Sequence, residues 1–202
     1  MEDSKVKAYD PGTWFWFSFM FIDWAFLLNY LGVFQGDNTI PLGLMCLVNL
    51  PVFLAAGNWY AKAGNGFFAM YVYVFGMLFC GLFGAVSAAT GYFMLQGVVF
   101  DFALQGIVFL IGGIFLAITL PSLVYADKMN LVTWTFCTVW CIAGGLSYLG
   151  IAPDATYMAS LVGCAVTTVG VTYMTLDAAI AQCYGSHLPM GKPFKEMGDW
   201  GE

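Results

Sequence analysis

Two acids fall inside apolar runs, where a carboxyl could do chemistry. Asp23 sits in Phe19-Met20-Phe21-Ile22-Asp23-Trp24, and Asp177 in Thr175-Leu176-Asp177-Ala178. A carboxyl removed from water with no cation beside it is expected to hold its proton, and a protonatable group at such depth suits a conduction path. The competing reading of Asp23 is a neutral acid bonded to a neighbouring helix, or one facing a wet vestibule. Asp177 lies nearer the end of its run and is expected to be solvated. Asn29, Asn49, Thr135 and Thr167 could bond a permeant, although the same residue types also tie helices together. Cys46, Cys80, Cys137, Cys141, Cys164 and Cys183 sit almost entirely in apolar runs. Free cysteine behaves there as a small hydrophobe, and the i,i+4 pair Cys137 and Cys141 reads as packing. No disulfide framework, metal site or cofactor is expected. The one histidine, His187, follows the last run and reads as an ordinary solvated residue. No nucleophile elbow or phosphate loop is present, so an enzyme is not expected.

The elements that must position these groups are set by hydropathy. The chain is 61% hydrophobic and 9% charged with a mean hydropathy of +0.81, whereas about a quarter of residues are charged in an ordinary soluble domain. A bilayer-spanning helix takes about 20 apolar residues, and six such runs occur, at 14–34, 40–60, 67–87, 102–125, 131–151 and 156–179. The stretch from Ser87 to Asp101 is the softest gap, and its Tyr92-Phe93-Met94-Leu95 reads as a short re-entrant or interfacial piece. Pro51 and Pro121 fall within runs and predict a kink or broken turn. All six cations are lysines: Lys5, Lys7, Lys62, Lys128, Lys192 and Lys195. They occupy the tails and alternate gaps, and cytoplasmic loops carry such excess. The expected architecture is an all-α integral membrane protein, a six-transmembrane-helix bundle over 14–180. Its tails, 1–13 and 181–202, are both cytoplasmic. With so few cations there is no footprint for nucleic acid. The mixed-sign start, Met1-Glu2-Asp3-Ser4-Lys5, does not read as a secretory signal.

Several stretches resemble the acetate uptake transporter family over nearly the whole chain. Asp177 followed eleven residues on by Leu188-Pro189-Met190-Gly191 is similar to the family's Glu and Leu-Pro-Ile-Gly ending. Lys62-Ala63-Gly64-Asn65-Gly66-Phe67 is similar to its loop between spans two and three, and Phe75-Gly76 to its aromatic-Gly pair. The first-span signature, Asn-Pro-Ala-Pro-Leu-Gly-Leu in the family, is degenerate. Asp10-Pro11 is taken as its remnant, because placing it at Asn38–Leu44 would leave a spare helix in front. Asp23 stands where the family has Thr.

The resemblance implies a homo-hexamer in the plasma membrane, each protomer with its own narrow pore for acetate or a related small monocarboxylate, proton-coupled or channel-like. It implies a hydrophobic constriction to which Phe19 and Phe75 belong, with a span-five partner at Phe136 or Cys137. Asp23 is then the candidate for the coupling proton, and Asn29, Asn49 and Thr135 are polar candidates along the path. Two other readings stay open. One is a channel for a small neutral solute such as ammonia, urea or an amide, and the other is a structural membrane subunit that transports nothing.

Overall fold

Residues 11–193 are described by a computed structural model, with the side chain of Pro11 excepted. Each of the six runs forms a helical rod: α1 (Pro11–Tyr30), α2 (Thr39–Lys62), α3 (Gly66–Leu95), α4 (Ala103–Tyr125), α5 (Lys128–Tyr148) and α6 (Pro153–Tyr184). No strand occurs among the described residues. Within those residues α2 to α6 are long and apolar enough to cross a bilayer. The 20-residue α1 is not among them, since Asp23, Asn29 and three tryptophans lower its hydropathy.

The rods form a closed ring. Each packs against the next in sequence, and α1 packs against α6 to complete the circuit. Apolar side chains face outward as well as inward, and some polar ones are buried. Ile107, Ile111, Ile114 and Ile118 line the outside of α4, and Phe17, Phe21 and Trp24 the outside of α1. Ser18, Asp23, Thr90, Gln105, Thr133 and Thr167 are inside. Small residues close the seams, as expected where lipid supplies no hydrophobic drive between helices. A Cβ on Gly43 of α2 would stand 2.5 Å from the Ala88 nitrogen and 2.7 Å from the Gly84 oxygen of α3. One on Gly163 of α6 would stand 2.6 Å from the Trp140 nitrogen of α5.

The rods differ from the apolar runs in three informative places. α3 continues to Leu95, so Tyr92–Leu95 is its last helical turn and no re-entrant piece. Ser87 and Thr90, which soften hydropathy there, face inward and are buried. Thr90 is used as well: its Oγ1 accepts a hydrogen bond from Gln105 Nε2 at 3.1 Å. Pro51 is carried inside a continuous α2, whereas Pro121 falls in a 3₁₀ turn, Leu120–Tyr125, that ends α4. The bundle also extends about a turn beyond 14–180 at both ends, from Pro11 to Tyr184. Asp10 lies outside the described residues, and Pro11 is described only as the first residue of α1.

Candidate functional site

The axis of the ring is filled by aromatic side chains in two tiers. In the first, Phe19 of α1 lies 5.5 Å from the Phe75 ring of α3 and stacks 5.8 Å from Trp134 of α5. Phe75 and Trp134 are 5.4 Å apart, so the three rings close a triangle. Trp134 is held from below, its Nε1 donating to Asn130 Oδ1 at 3.2 Å. Asn130 in turn donates from its backbone nitrogen and its Nδ2 to the carboxylate of Asp127, which caps α5. In the second tier Phe26 meets Phe83 at 5.5 Å and Trp140 at 5.6 Å, and Phe83 meets Phe109 at 5.2 Å. A π-helical stretch of α3, Gly76–Phe83, carries Phe79 and Phe83 from one tier to the other. Such wide turns inside helices are frequent at functional sites.

Asp23 sits on α1 one turn from Phe19 and one from Phe26, between the tiers. It is fully buried, and neither carboxyl oxygen has a hydrogen-bond partner. Beside it is a void of about 20 Å³ walled by Phe19, Ile22, Phe53, Phe75, Cys80 and other apolar groups. That is about enough for a single water. The thiols of Cys46, Cys137 and Cys164 lie within electrostatic reach of the carboxyl.

Each tier floors a vestibule. At the end bearing Lys62 and Lys128, a cavity of about 310 Å³ is lined by Trp16, Tyr60, Phe67, Phe68, Tyr71 and Trp134, with Asn65 and Asn130. At the opposite end a cavity of about 240 Å³ is lined by Asn29, Asp37, Asn38, Thr39, Ser87 and Gln105, over Phe83 and Tyr148. The arrangement is two chambers facing each other across a ring-filled section.

The sequence candidates distribute unevenly over this path. Phe19, Asp23 and Phe75 come together on the axis, and Asn29 reaches the amide-lined vestibule. The α5 ring that meets Phe19 and Phe75 is Trp134. Cys137 is buried in the core, and Phe136 is half-buried with its carbonyl against Gly163. Asn49 donates to the Met45 carbonyl at 2.8 Å, Thr135 to Leu131 at 2.7 Å and Thr167 to Gly163 at 2.7 Å. Their polar groups are thus engaged on their own helices. Asp177 is not simply solvated. Its Oδ1 accepts from the Leu188 backbone nitrogen at 2.6 Å, and Oδ2 lies 3.2 Å from His187 Nδ1. With Tyr173 donating to the Pro189 carbonyl and Met129 N to that of Met190, the Leu-Pro-Met-Gly segment is strapped across the lysine-bearing end. Among the described residues no group of three or more His, Cys, Asp or Glu is placed to hold a metal ion.

No protein-family model and no curated protein matches the chain. A comparison with solved structures decides the fold. The chain is built like the bacterial acetate channel SatP. The likeness has a TM-score of 0.68 and covers 92% of this chain and 100% of SatP, at 16% sequence identity. It bears out, in the fold, the family resemblance carried by the Lys62–Phe67 loop and the Leu188–Gly191 ending. SatP is described as a channel for acetate.

Proposed function

We propose that the protein is a multi-pass membrane channel or transporter for acetate or a related small monocarboxylate. The observation that carries this reading is the pair of vestibules on one axis, separated by the Phe19-Phe75-Trp134 and Phe26-Phe83-Phe109 tiers. The likeness to SatP supports it. A dry section passes an uncharged acid far more cheaply than an anion, so the protonated form is the species that crosses. In this reading all six rods span the plasma membrane with both tails cytoplasmic, the lysine-bearing end facing in, and six protomers assemble with one path each. The acid's own proton is then the coupling proton, and Asp23, the lone carboxyl between the tiers, is the group that relays it across the dry section.

Uptake of labelled acetate into proteoliposomes, with and without an imposed proton gradient, tests the reading; absence of uptake in both conditions overturns it. Asp23→Asn keeps the side-chain shape and should fold normally while losing the gradient-driven component. Unchanged gradient dependence removes Asp23 from the mechanism.

A second reading, a channel for a small neutral solute, is favoured by one observation. Among the described residues the lysines all lie at the other end, and the 240 Å³ vestibule offers amides, hydroxyls and the Asp37 carboxylate. It predicts flux of urea or acetamide that is indifferent to the proton gradient.

A further inference from the structure

We propose that Gln105 is a solute-binding residue of the amide-lined vestibule and that it selects for a hydrogen-bond donor on the solute. This deepens the function proposed above and rests on it. Gln105 stands two residues inside the start of α4, is 1% exposed, and forms part of the vestibule wall. Its Nε2 is committed to Thr90 Oγ1 on α3 at 3.1 Å. Its Oε1 is buried and has no partner. A buried carbonyl oxygen left without a donor is costly, and most buried polar atoms in folded proteins are satisfied. The vestibule is the place from which a donor can come. The rest of its polar wall is largely turned to neighbours. Asn38 Nδ2 donates to the Gly36 carbonyl and, at 3.4 Å, to Asn29 Oδ1, while Asp37 Oδ1 accepts from the Thr39 backbone nitrogen.

The chemistry of the missing partner follows. An unmet acceptor on a residue of the vestibule wall is satisfied by the O–H of a protonated carboxylic acid or by the N–H of a primary amide of the same shape. A carboxylate has only lone pairs to offer, and the nearby Asp37 carboxylate adds to its exclusion. A ketone of that shape fits but leaves Oε1 unmet. Gln105 therefore sorts acetic acid and acetamide from acetate anion and acetone before any of them reaches the dry tiers. Where a site is built to bond a donor, the analogue lacking it is rejected because the protein group stays unpaired.

Saturation-transfer difference NMR on the detergent-solubilised full-length protein tests this without requiring transport. The probes are acetamide, acetone and, at alkaline pH, acetate, each at the same concentration. The expected result is a clear methyl signal from acetamide and one on the order of fivefold weaker from acetone and acetate, the effect of about one hydrogen bond. Gln105→Met keeps the volume and removes the acceptor, so acetamide should fall to the acetone level. Gln105→Glu keeps an acceptor oxygen and should retain acetamide binding; thermal unfolding of both variants reports whether they fold. Equal signals from acetamide and acetone, a stronger signal from acetate, or an acetamide signal unaffected in folded Gln105→Met overturns the proposal, as does the absence of any signal. Proteoliposome uptake separates the two claims. Loss of the acetate-transport reading with a Gln105-dependent acetamide signal leaves a neutral-solute channel, and acetate uptake without Gln105 dependence removes this inference alone.

Discussion

The two vestibules hold similar volumes, about 240 and 310 Å³, yet they are built from opposite materials. At the lysine-bearing end the wall is mostly rings, and its amides are spent on structure. Asn65 Oδ1 accepts from the Phe68 nitrogen to cap α3, and Asn130 is held between Asp127 and Trp134. At the other end amides and hydroxyls make the wall, and Gln105 Oε1 is buried there without a partner. A satisfied polar group offers little to a solute, whereas an open one discriminates by what it lacks. In the proposed function the difference gives the two ends separate tasks: chemical selection at the amide-lined mouth, and exclusion by size at the ring-lined one.

The largest effect expected from breaking that division comes from Trp134. Its ring touches Trp16, Phe19, Tyr71 and Phe75 and forms the floor of the ring-lined vestibule. Trp134→Ala should destabilise the fold by about 3–5 kcal/mol, the usual cost of truncating a buried aromatic, as read by thermal unfolding in detergent. The surviving folded fraction should admit solutes one or two carbons longer than acetate. Its preference for acetamide over acetone should be unchanged, because Gln105 is untouched. A variant that loses chemical preference instead of the size limit would reverse the assignment of the two ends.

A smaller effect is expected at the strap over the lysine-bearing end. Removing the Asp177 carboxyl frees the Leu188 nitrogen and His187 together, and hydrogen bonds to charged groups contribute about 1.5–3 kcal/mol. Asp177→Ala should leave the transmembrane rods folded while making the segment after Gly185 sensitive to limited proteolysis. Wild-type resistance in the variant would mean that Tyr173 and Met129 hold the strap without it.

Much of this was legible in the chain because lipid imposes a length and a composition on each rod, and the gaps follow from Gly, Asn and Asp between runs. The third gap misled because Ser87 and Thr90 are buried, Thr90 against Gln105 on α4, and hydropathy cannot distinguish inward polarity from a loop. Phe19 and Phe75 were reachable through the family resemblance. Trp134 was not, since one more aromatic in an apolar run carries no mark of the axis it faces; the only local hint is Asn130 one turn before it, behind the capping Asp127. Gln105 carries no mark in the sequence, and its orphaned oxygen exists only once α3 and α4 are side by side. The Asp177-to-Gly191 spacing was visible as a motif, yet its work as a clamp depends on the chain folding back onto α6 and α5.

The finest test concerns charge at the amide-lined mouth. Asp37 holds its place by accepting from the Thr39 backbone nitrogen at 2.9 Å, a bond that an asparagine oxygen can keep. Asp37→Asn therefore changes the field while leaving the loop as it is. If the arriving species is the neutral acid, acetate influx should be unchanged at any ionic strength. If the anion enters, removing the carboxylate should raise influx by at most about twofold at low salt, and the gain should vanish near physiological salt, where the screening length is about 8 Å. Measured as initial influx across a salt series, a flat response sharpens the contrast between the two ends. A salt-dependent rise would place anion entry ahead of donor selection and leave Gln105 with nothing to sort.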